Sequence, residues 1–193
     1  ATATATVTVA QVAATLSLSE STLTFVSLAA TTQLTATVTD ANGETVSGAT
    51  VTWETSDASV ATVSSAGLVT AVADGTATIT ATSGSLSAIS AITVAQAAST
   101  IEVSPSTSTL SSVGATVALT ATVNDAGGTV ISGATVAWAT SDAAVATVSS
   151  TGLVTSVADG TATITATSGS ASAIASVTVA QVATSVTLSN SIL

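Results

Sequence analysis

The chain has 193 residues, and its formal net charge is −10 because it carries ten Asp or Glu and no Lys, Arg or His. This charge excludes nucleic acid and anionic membrane surfaces as partners, since both are bound through cationic side chains. Neither a side-chain salt bridge nor a disulfide can form within the chain, because it has no cationic side chain and no Cys. The sequence also has no unbroken apolar run of about 20 residues, so membrane insertion is not predicted.

A long internal repeat organises the chain. Residues 47–95 return as residues 132–180 without insertion or deletion, with 40 of the 49 positions identical. Self-similarity at a fixed spacing is typical of tandem copies of one module. We therefore expect two domains, at residues 11–95 and 96–180.

The repeat extends to both ends of the chain. Residues 1–10 align with the end of each unit, so we expect them to be the last strand of a preceding repeat. Residues 181–193 align with the start of each unit, so we expect the first strand of a following repeat. The joint between the units, residues 95–99, contains no Gly-rich or Pro-rich linker. A stiff series of modules is therefore expected.

The predicted strands follow from an alternation of apolar and hydroxyl side chains with period two. Such alternation places the apolar side chains on one face of a strand, and the Thr and Val that dominate it suit a pleated sheet. No helical periodicity of useful length is present. In the first unit the strands are predicted at residues 14–19, 22–27, 32–39, 50–55, 60–64, 68–72, 76–83 and 88–95, and the second unit repeats them at the equivalent positions.

Asp and Gly residues separate these strands and predict turns, because Gly supplies positive φ and Asp bonds to the nearby backbone. The predicted turn residues are Asp40, Gly43, Gly67, Asp74 and Gly75 in the first unit, and Asp125, Gly128, Gly152, Asp159 and Gly160 in the second. Each unit has a single tryptophan in a predicted strand, Trp53 or Trp138, which we expect to be the largest side chain of its core. This pattern of short strands favours an all-β antiparallel sandwich in each unit.

A longer motif, W-x-T-S-D-x-x-V-A-T-V-S-S-x-G-L-V-T-x-V-A-D-G-T-A-T-I-T-A, begins at Trp53 and again at Trp138. It resembles the bacterial immunoglobulin-like group 2 module, and the resemblance covers nearly the whole chain. This implies tandem immunoglobulin-like β-sandwiches, as found in bacterial surface proteins such as intimin-like adhesins and in some phage structural proteins. It also implies that there are no catalytic residues to carry over.

Candidate chemistry is sparse. A Ser or Thr nucleophile needs an adjacent base, and only carboxylates remain for that role. The carboxylates recur at turn positions, so we expect no enzymatic activity and no cofactor. Calcium is the alternative, with Asp40 and Glu44, or Glu54 and Asp57, as oxygen ligands. Glu44 and Glu54 are replaced by Thr and Ala in the second unit, which favours the turn role.

The function expected from these features is that of a stalk or fibre segment, a stiff spacer in a large extracellular or cell-surface bacterial protein. Its partners would be like domains of the same or neighbouring chains. One alternative is a self-assembling extracellular filament, a homopolymer joined by lateral packing or by residues 1–10 completing a neighbour's sheet. Another is a phage virion fibre.

Overall fold

The structure, a computed structural model, describes residues 2–5 and 10–185. The chain divides into two compact units, residues 1–96 and 97–193. All regular elements in the described residues are strands, which confirms the predicted all-β fold. The flanking strands predicted at residues 1–10 and 181–193 fall partly outside the described residues, and the described residues there belong to no strand, so both stay predictions.

Each unit contains nine strands in the same order. Those of the first are β1 (Thr15–Leu18), β2 (Thr22–Phe25), β3 (Thr31–Gln33), β4 (Ala36–Thr39), β5 (Thr52–Thr55), β6 (Ala61–Val63), β7 (Leu68–Ala71), β8 (Gly75–Ser83) and β9 (Leu86–Val94). Those of the second are β10 (Thr100–Ser104), β11 (Thr107–Leu110), β12 (Thr116–Ala118), β13 (Thr120–Asn124), β14 (Ala137–Thr140), β15 (Ala146–Val148), β16 (Leu153–Ser156), β17 (Gly160–Ser168) and β18 (Ala171–Val179).

The strands of the first unit form two layers. One layer is a four-stranded sheet in the order β2-β9-β8-β5, in which only the β2–β9 pair is parallel. The other consists of the three-stranded sheet β3-β7-β6 and the β1-β4 pair. The second unit repeats this topology with β11-β18-β17-β14, β12-β16-β15 and β10-β13. The tandem sandwich architecture predicted from the repeat is therefore confirmed.

One predicted strand, residues 32–39, is in fact two strands, and that prediction is wrong. β3 pairs with β7, whereas β4 pairs with β1, so the chain changes partners at residues 34 and 35. There the Leu34 amide donates to the carbonyl of Gly67 (2.9 Å), and the Thr35 amide donates to Ser19 Oγ (3.1 Å). The apolar residues Leu34 and Val38 keep the same alternation across the break, and both are buried.

The core of each unit is aliphatic. In β8, Ala77, Ile79 and Ala81 are buried, and the threonines between them point to the opposite face. Around Ile79 pack other fully buried side chains of the first unit, among them Leu34 and Val69. The second unit has an equivalent cluster around Ile164. Burial of these apolar surfaces, together with the strand ladders, is what holds each unit together.

Candidate functional site

Trp53 lies at the margin of the core, beside a glycine turn. It stands in β5 opposite Ala81, is partly buried, and packs against the buried aliphatic cluster. A Cβ added to Gly67 would lie 2.8 Å from Trp53 Cζ2 and 2.5 Å from the carbonyl oxygen of Leu34. The ring therefore approaches the turn so closely that only glycine fits, and Gly67 also has a φ of +83°.

The second unit repeats this arrangement. Trp138 packs against its own core, and a Cβ added to Gly152 would lie 3.0 Å from Trp138 Cζ2. The sequence predicted a core tryptophan and a turn glycine separately. The structure brings the two together in each unit, which no short-range signal in the sequence indicates.

The remaining predicted turn glycines have two different surroundings. Gly75 and Gly160 begin β8 and β17, where an added Cβ would lie 2.9 and 2.8 Å from a valine methyl carbon. Gly43 and Gly128 have positive φ but nothing within 4 Å of an added Cβ. All four glycines have positive φ, so the second pair is required for backbone conformation alone, whereas the first pair is required for packing as well.

Asp40 organises the loop that follows β4. Its Oδ1 accepts hydrogen bonds from the amides of Asn42 (2.9 Å) and Glu44 (3.0 Å). These bonds, the Glu44 amide foremost, hold the pKa of the Asp40 carboxyl below its usual value. Its copy Asp125 accepts from the amides two and four residues further on, at 2.9 and 2.8 Å.

Asp57 has the same local role after β5. Its Oδ1 accepts from the hydroxyl of Ser59 (2.5 Å) and from the Ser59 amide (2.9 Å), and the hydroxyl is the main reason that the pKa of Asp57 is lowered. Its copy Asp142 accepts from the amide of Ala144 at 2.9 Å. These carboxylates therefore satisfy the backbone of their own turns.

Asp74 and Asp159 behave differently, because their partners are distant in sequence. Asp74 Oδ1 accepts from the amide of Gln96 (2.8 Å), and Asp159 Oδ1 accepts from the amide of Gln181 (2.9 Å). Each partner lies 22 residues further on and just beyond the last strand of its unit. Both aspartates were predicted as turn residues, and this contact was missed. Because the donor is a backbone amide, which every residue except proline has, the identity of residue 96 or 181 does not signal it.

The carboxylates do not converge on a shared site. Among residues 2–5 and 10–185, no group of three or more Asp and Glu side chains is placed to hold a metal ion. A shallow depression beside Trp138, about 370 Å³, is lined by apolar side chains and the hydroxyl-bearing Thr120, Ser150 and Thr151, without a carboxylate. The expectation of no cofactor stays a prediction, and so does its alternative, calcium held by a carboxylate pair.

The outer face of the four-stranded sheet is nearly free of charge. Glu54 is the only charged residue in those strands of the first unit, and Ala139 replaces it in the second. Thr76, Thr78, Thr80 and Thr82 line β8 on this face. Beside them stands an exposed isoleucine of β9, Ile89 (62% exposed), and its copy Ile174 is equally exposed (65%). Hydroxyl and methyl groups thus cover a neutral face on a strongly acidic chain.

Comparison with protein families decides what these units are. The model of the bacterial Ig-like domain (group 2) matches residues 12–94 and again residues 97–179. The chain belongs to this family. The resemblance seen in the sequence motif is therefore confirmed. A comparison with functionally curated proteins finds no match.

Solved structures similar to these Ig-like repeats include bacterial surface proteins. Domains 1–6 of the surface-layer protein SbsC share 24% identity over 90% of this chain, with a TM-score of 0.44, and the chain spans 29% of that structure. Domains 4 and 5 of SbsC share 24% identity over 87% of this chain and 98% of theirs, with a TM-score of 0.42. The Escherichia coli adhesin FdeC shares 21% identity over 89% of this chain and 67% of its own, with a TM-score of 0.45.

The described part of the Ig-like repeats contains no helix that could span a membrane. Their conspicuous residues are glycines that permit close packing, carboxylates that accept backbone amides, and a tryptophan beside each core. These are features that support a fold. The Ser and Thr hydroxyls are numerous, but the described residues hold no His, Lys or Cys that could activate one.

Proposed function

We propose that the chain is a non-catalytic structural segment of a large extracellular bacterial surface protein, in which the repeats act as a stiff spacer. One observation carries the proposal: β9 ends at Val94 and β10 begins at Thr100, so only residues 95–99 separate the strands of the two units. Five residues that include neither Gly nor Pro are too few for a long flexible linker. When modules are joined by so short a segment, the position of one module sets the position of the next along the series.

The internal contacts of each unit support the same role. Each has its own aliphatic core, and the turn aspartates are occupied by backbone amides of their own unit. Neither the depression beside Trp138 nor a second one lined by residues such as Ser56, Thr78 and Thr93 contains a carboxylate. Neither of these two depressions therefore offers a carboxylate as a general acid or base, which supports a non-catalytic role.

Small-angle X-ray scattering of the whole chain tests the spacer. Nine-residue strands make each unit roughly 40 Å long including its loops, so two units end to end give a radius of gyration of about 24 Å. A single compact globule of this length would give about 16 Å. A control with about eight Gly and Ser residues inserted after Ala95 should scatter as two freely jointed units. The spacer is refuted if the native chain gives the compact value or matches the control.

Surface location needs a separate experiment. Intact cells of the source bacterium would be treated with proteinase K, because the chain offers trypsin no Lys or Arg at which to cleave. An antibody raised against the repeats should lose its signal before the cells lyse. A signal that survives until lysis would place the repeats inside the cell and end this part of the proposal.

The neutral outer face favours a second candidate, lateral packing of like chains into a filament or layer. The net charge of −10 makes two copies of the chain repel each other. The four-stranded sheet β11-β18-β17-β14, with the exposed Ile174 in β18, carries no charged residue and is the exception. Sedimentation at about 0.5 M salt, where repulsion is screened, should then show association that Ile174→Glu abolishes. A chain that remains monomeric under those conditions excludes this candidate.

A further inference from the structure

The chain leaves each unit through a segment that is held from two sides. In the first unit the amide of Ala95 donates to the carbonyl of Phe25 at the end of β2 (2.9 Å). The next amide, that of Gln96, donates to Asp74 Oδ1 in the turn before β8 (2.8 Å). Successive amides of an extended chain point in opposite directions, so the two bonds brace the segment on opposite edges.

The second unit has the same brace at its own exit. The amide of Ala180 donates to the carbonyl of Leu110 (2.9 Å), and the amide of Gln181 donates to Asp159 Oδ1 (2.9 Å). Gln96 and Gln181 lie beyond the strand ladders, which end at Val94 and Val179. The carboxylate therefore extends the ordered backbone past the last strand of the sandwich.

This use of an aspartate differs from that of the other turn aspartates. Asp40 and Asp57 accept amides two or four residues further on, which stabilises only the loop that contains them. Asp74 instead joins a turn to Gln96, which lies two residues beyond the last strand of the same unit. Loss of that bond would leave the β7–β8 turn with its glycine at Gly75 but would remove one of the two backbone bonds that brace the exit segment.

We propose that Asp74 is a positioning residue that fixes the direction in which the chain leaves the first unit, and thereby stiffens the joint between repeats. The inference rests on the proposed spacer function. Asp159 has the same role at the exit of the second unit, where it acts on residues 181 onward. An acceptor oxygen is what the role requires, so an amide side chain would serve in place of the carboxylate.

Backbone ¹⁵N relaxation of the whole chain measures the joint directly, because two stiffly joined units share one rotational correlation time. We expect shared tumbling for the native chain and for Asp74→Asn. Asp74→Ala should lose it, so that each unit approaches the correlation time of a single module. The Gln96 amide should then exchange with solvent about tenfold faster, the factor expected for one lost hydrogen bond.

Asp159→Ala is the matched control, since it removes the same bond at an exit that does not join the two units. It should leave their shared tumbling unchanged. The inference is overturned if Asp74→Ala tumbles like a stiff native chain, or if Asp159→Ala loosens the units equally. Independent tumbling of the native units would instead refute the spacer function itself, and this inference with it.

Discussion

A single buried hydroxyl in the first unit allows a sharp test of how these cores are stabilised. Ser90 stands in β9 opposite Ile79, is 0% exposed, and its Oγ is the only buried side-chain polar atom without a hydrogen-bond partner in the described residues. The equivalent residue of the second unit is Ala175, which is equally buried. The chain thus contains both versions of the same core position.

We predict that Ser90→Ala stabilises the first unit. An unpaired buried hydroxyl costs about 1–3 kcal/mol. Removing one oxygen leaves a void of roughly 10 Å³, which costs about 0.2 kcal/mol at ~24 cal/mol per Å³. The net gain is therefore about 0.8–2.8 kcal/mol, or a rise in Tm of roughly 3–22 °C for a unit of this size. Ala175→Ser should destabilise the second unit by a similar amount.

The assay exploits the single tryptophan of each unit. Incorporation of 5-fluorotryptophan gives one ¹⁹F resonance from Trp53 and one from Trp138, so thermal unfolding of the two units can be followed separately in one sample. Only the Trp53 transition should move in Ser90→Ala, and only the Trp138 transition in Ala175→Ser. A Trp53 transition that stays in place or falls would show that the hydroxyl has a partner, and would refute the reasoning.

Three further predictions concern the backbone and the turns. Ala29 has a φ of 59°, and its copy Gly114 has a φ of 79°. Because positive φ is unfavourable for alanine, Ala29→Gly should raise the free energy of unfolding in urea by about 1 kcal/mol, and Gly114→Ala should lower it by about 1 kcal/mol. Gly67→Ala should lower the free energy of unfolding, measured by calorimetry, by about 3 kcal/mol, because the cost of positive φ adds to that of a clash with the tryptophan ring. A decrease below about 1 kcal/mol would contradict the contact. The lowered pKa of Asp57, due chiefly to the Ser59 hydroxyl, contributes stability that is present above the unfolded value of 3.8 and is lost as the pH falls through the lower folded value. Asp57→Asn should therefore reduce the urea midpoint more at about pH 6 than at about pH 2, and an equal effect at both would refute the charge argument.

Most of the fold was predictable because its rules are local. Alternation with period two identifies a strand and its buried face without knowledge of the partner strand, and the in-register repeat identifies the second unit from the first. The break between β3 and β4 was not predictable, since Leu34 and Val38 keep the same alternation across it. What changes there is the pairing partner, which depends on residues far away in the chain.

In the candidate site, too, local features were predictable from the sequence and contacts between distant residues were not. The glycines and aspartates were predicted as turn residues from local chemistry, and the hydrogen bonds of Asp40 and Asp57 are local. The closeness of Trp53 to Gly67, and of Asp74 to Gln96, joins elements that only the folded sandwich brings together. A sequence pattern can indicate what a residue is suited to do, but not which distant group it meets.

Comparison of the two units separates what the sandwich requires from what it tolerates. The Trp–Gly contact occurs in both units, and the Asp–Gln bond measures 2.8 Å in the first and 2.9 Å in the second. Ser90, Ala29 and Glu54 are each replaced in the second unit without a change of strand order or register. These replacements change the local stability of one unit while the fold stays the same. The proposed spacer function needs the same exit geometry in every repeat. We therefore count the Asp–Gln bond among the requirements of that function, and we expect its loss to affect the joint rather than the core.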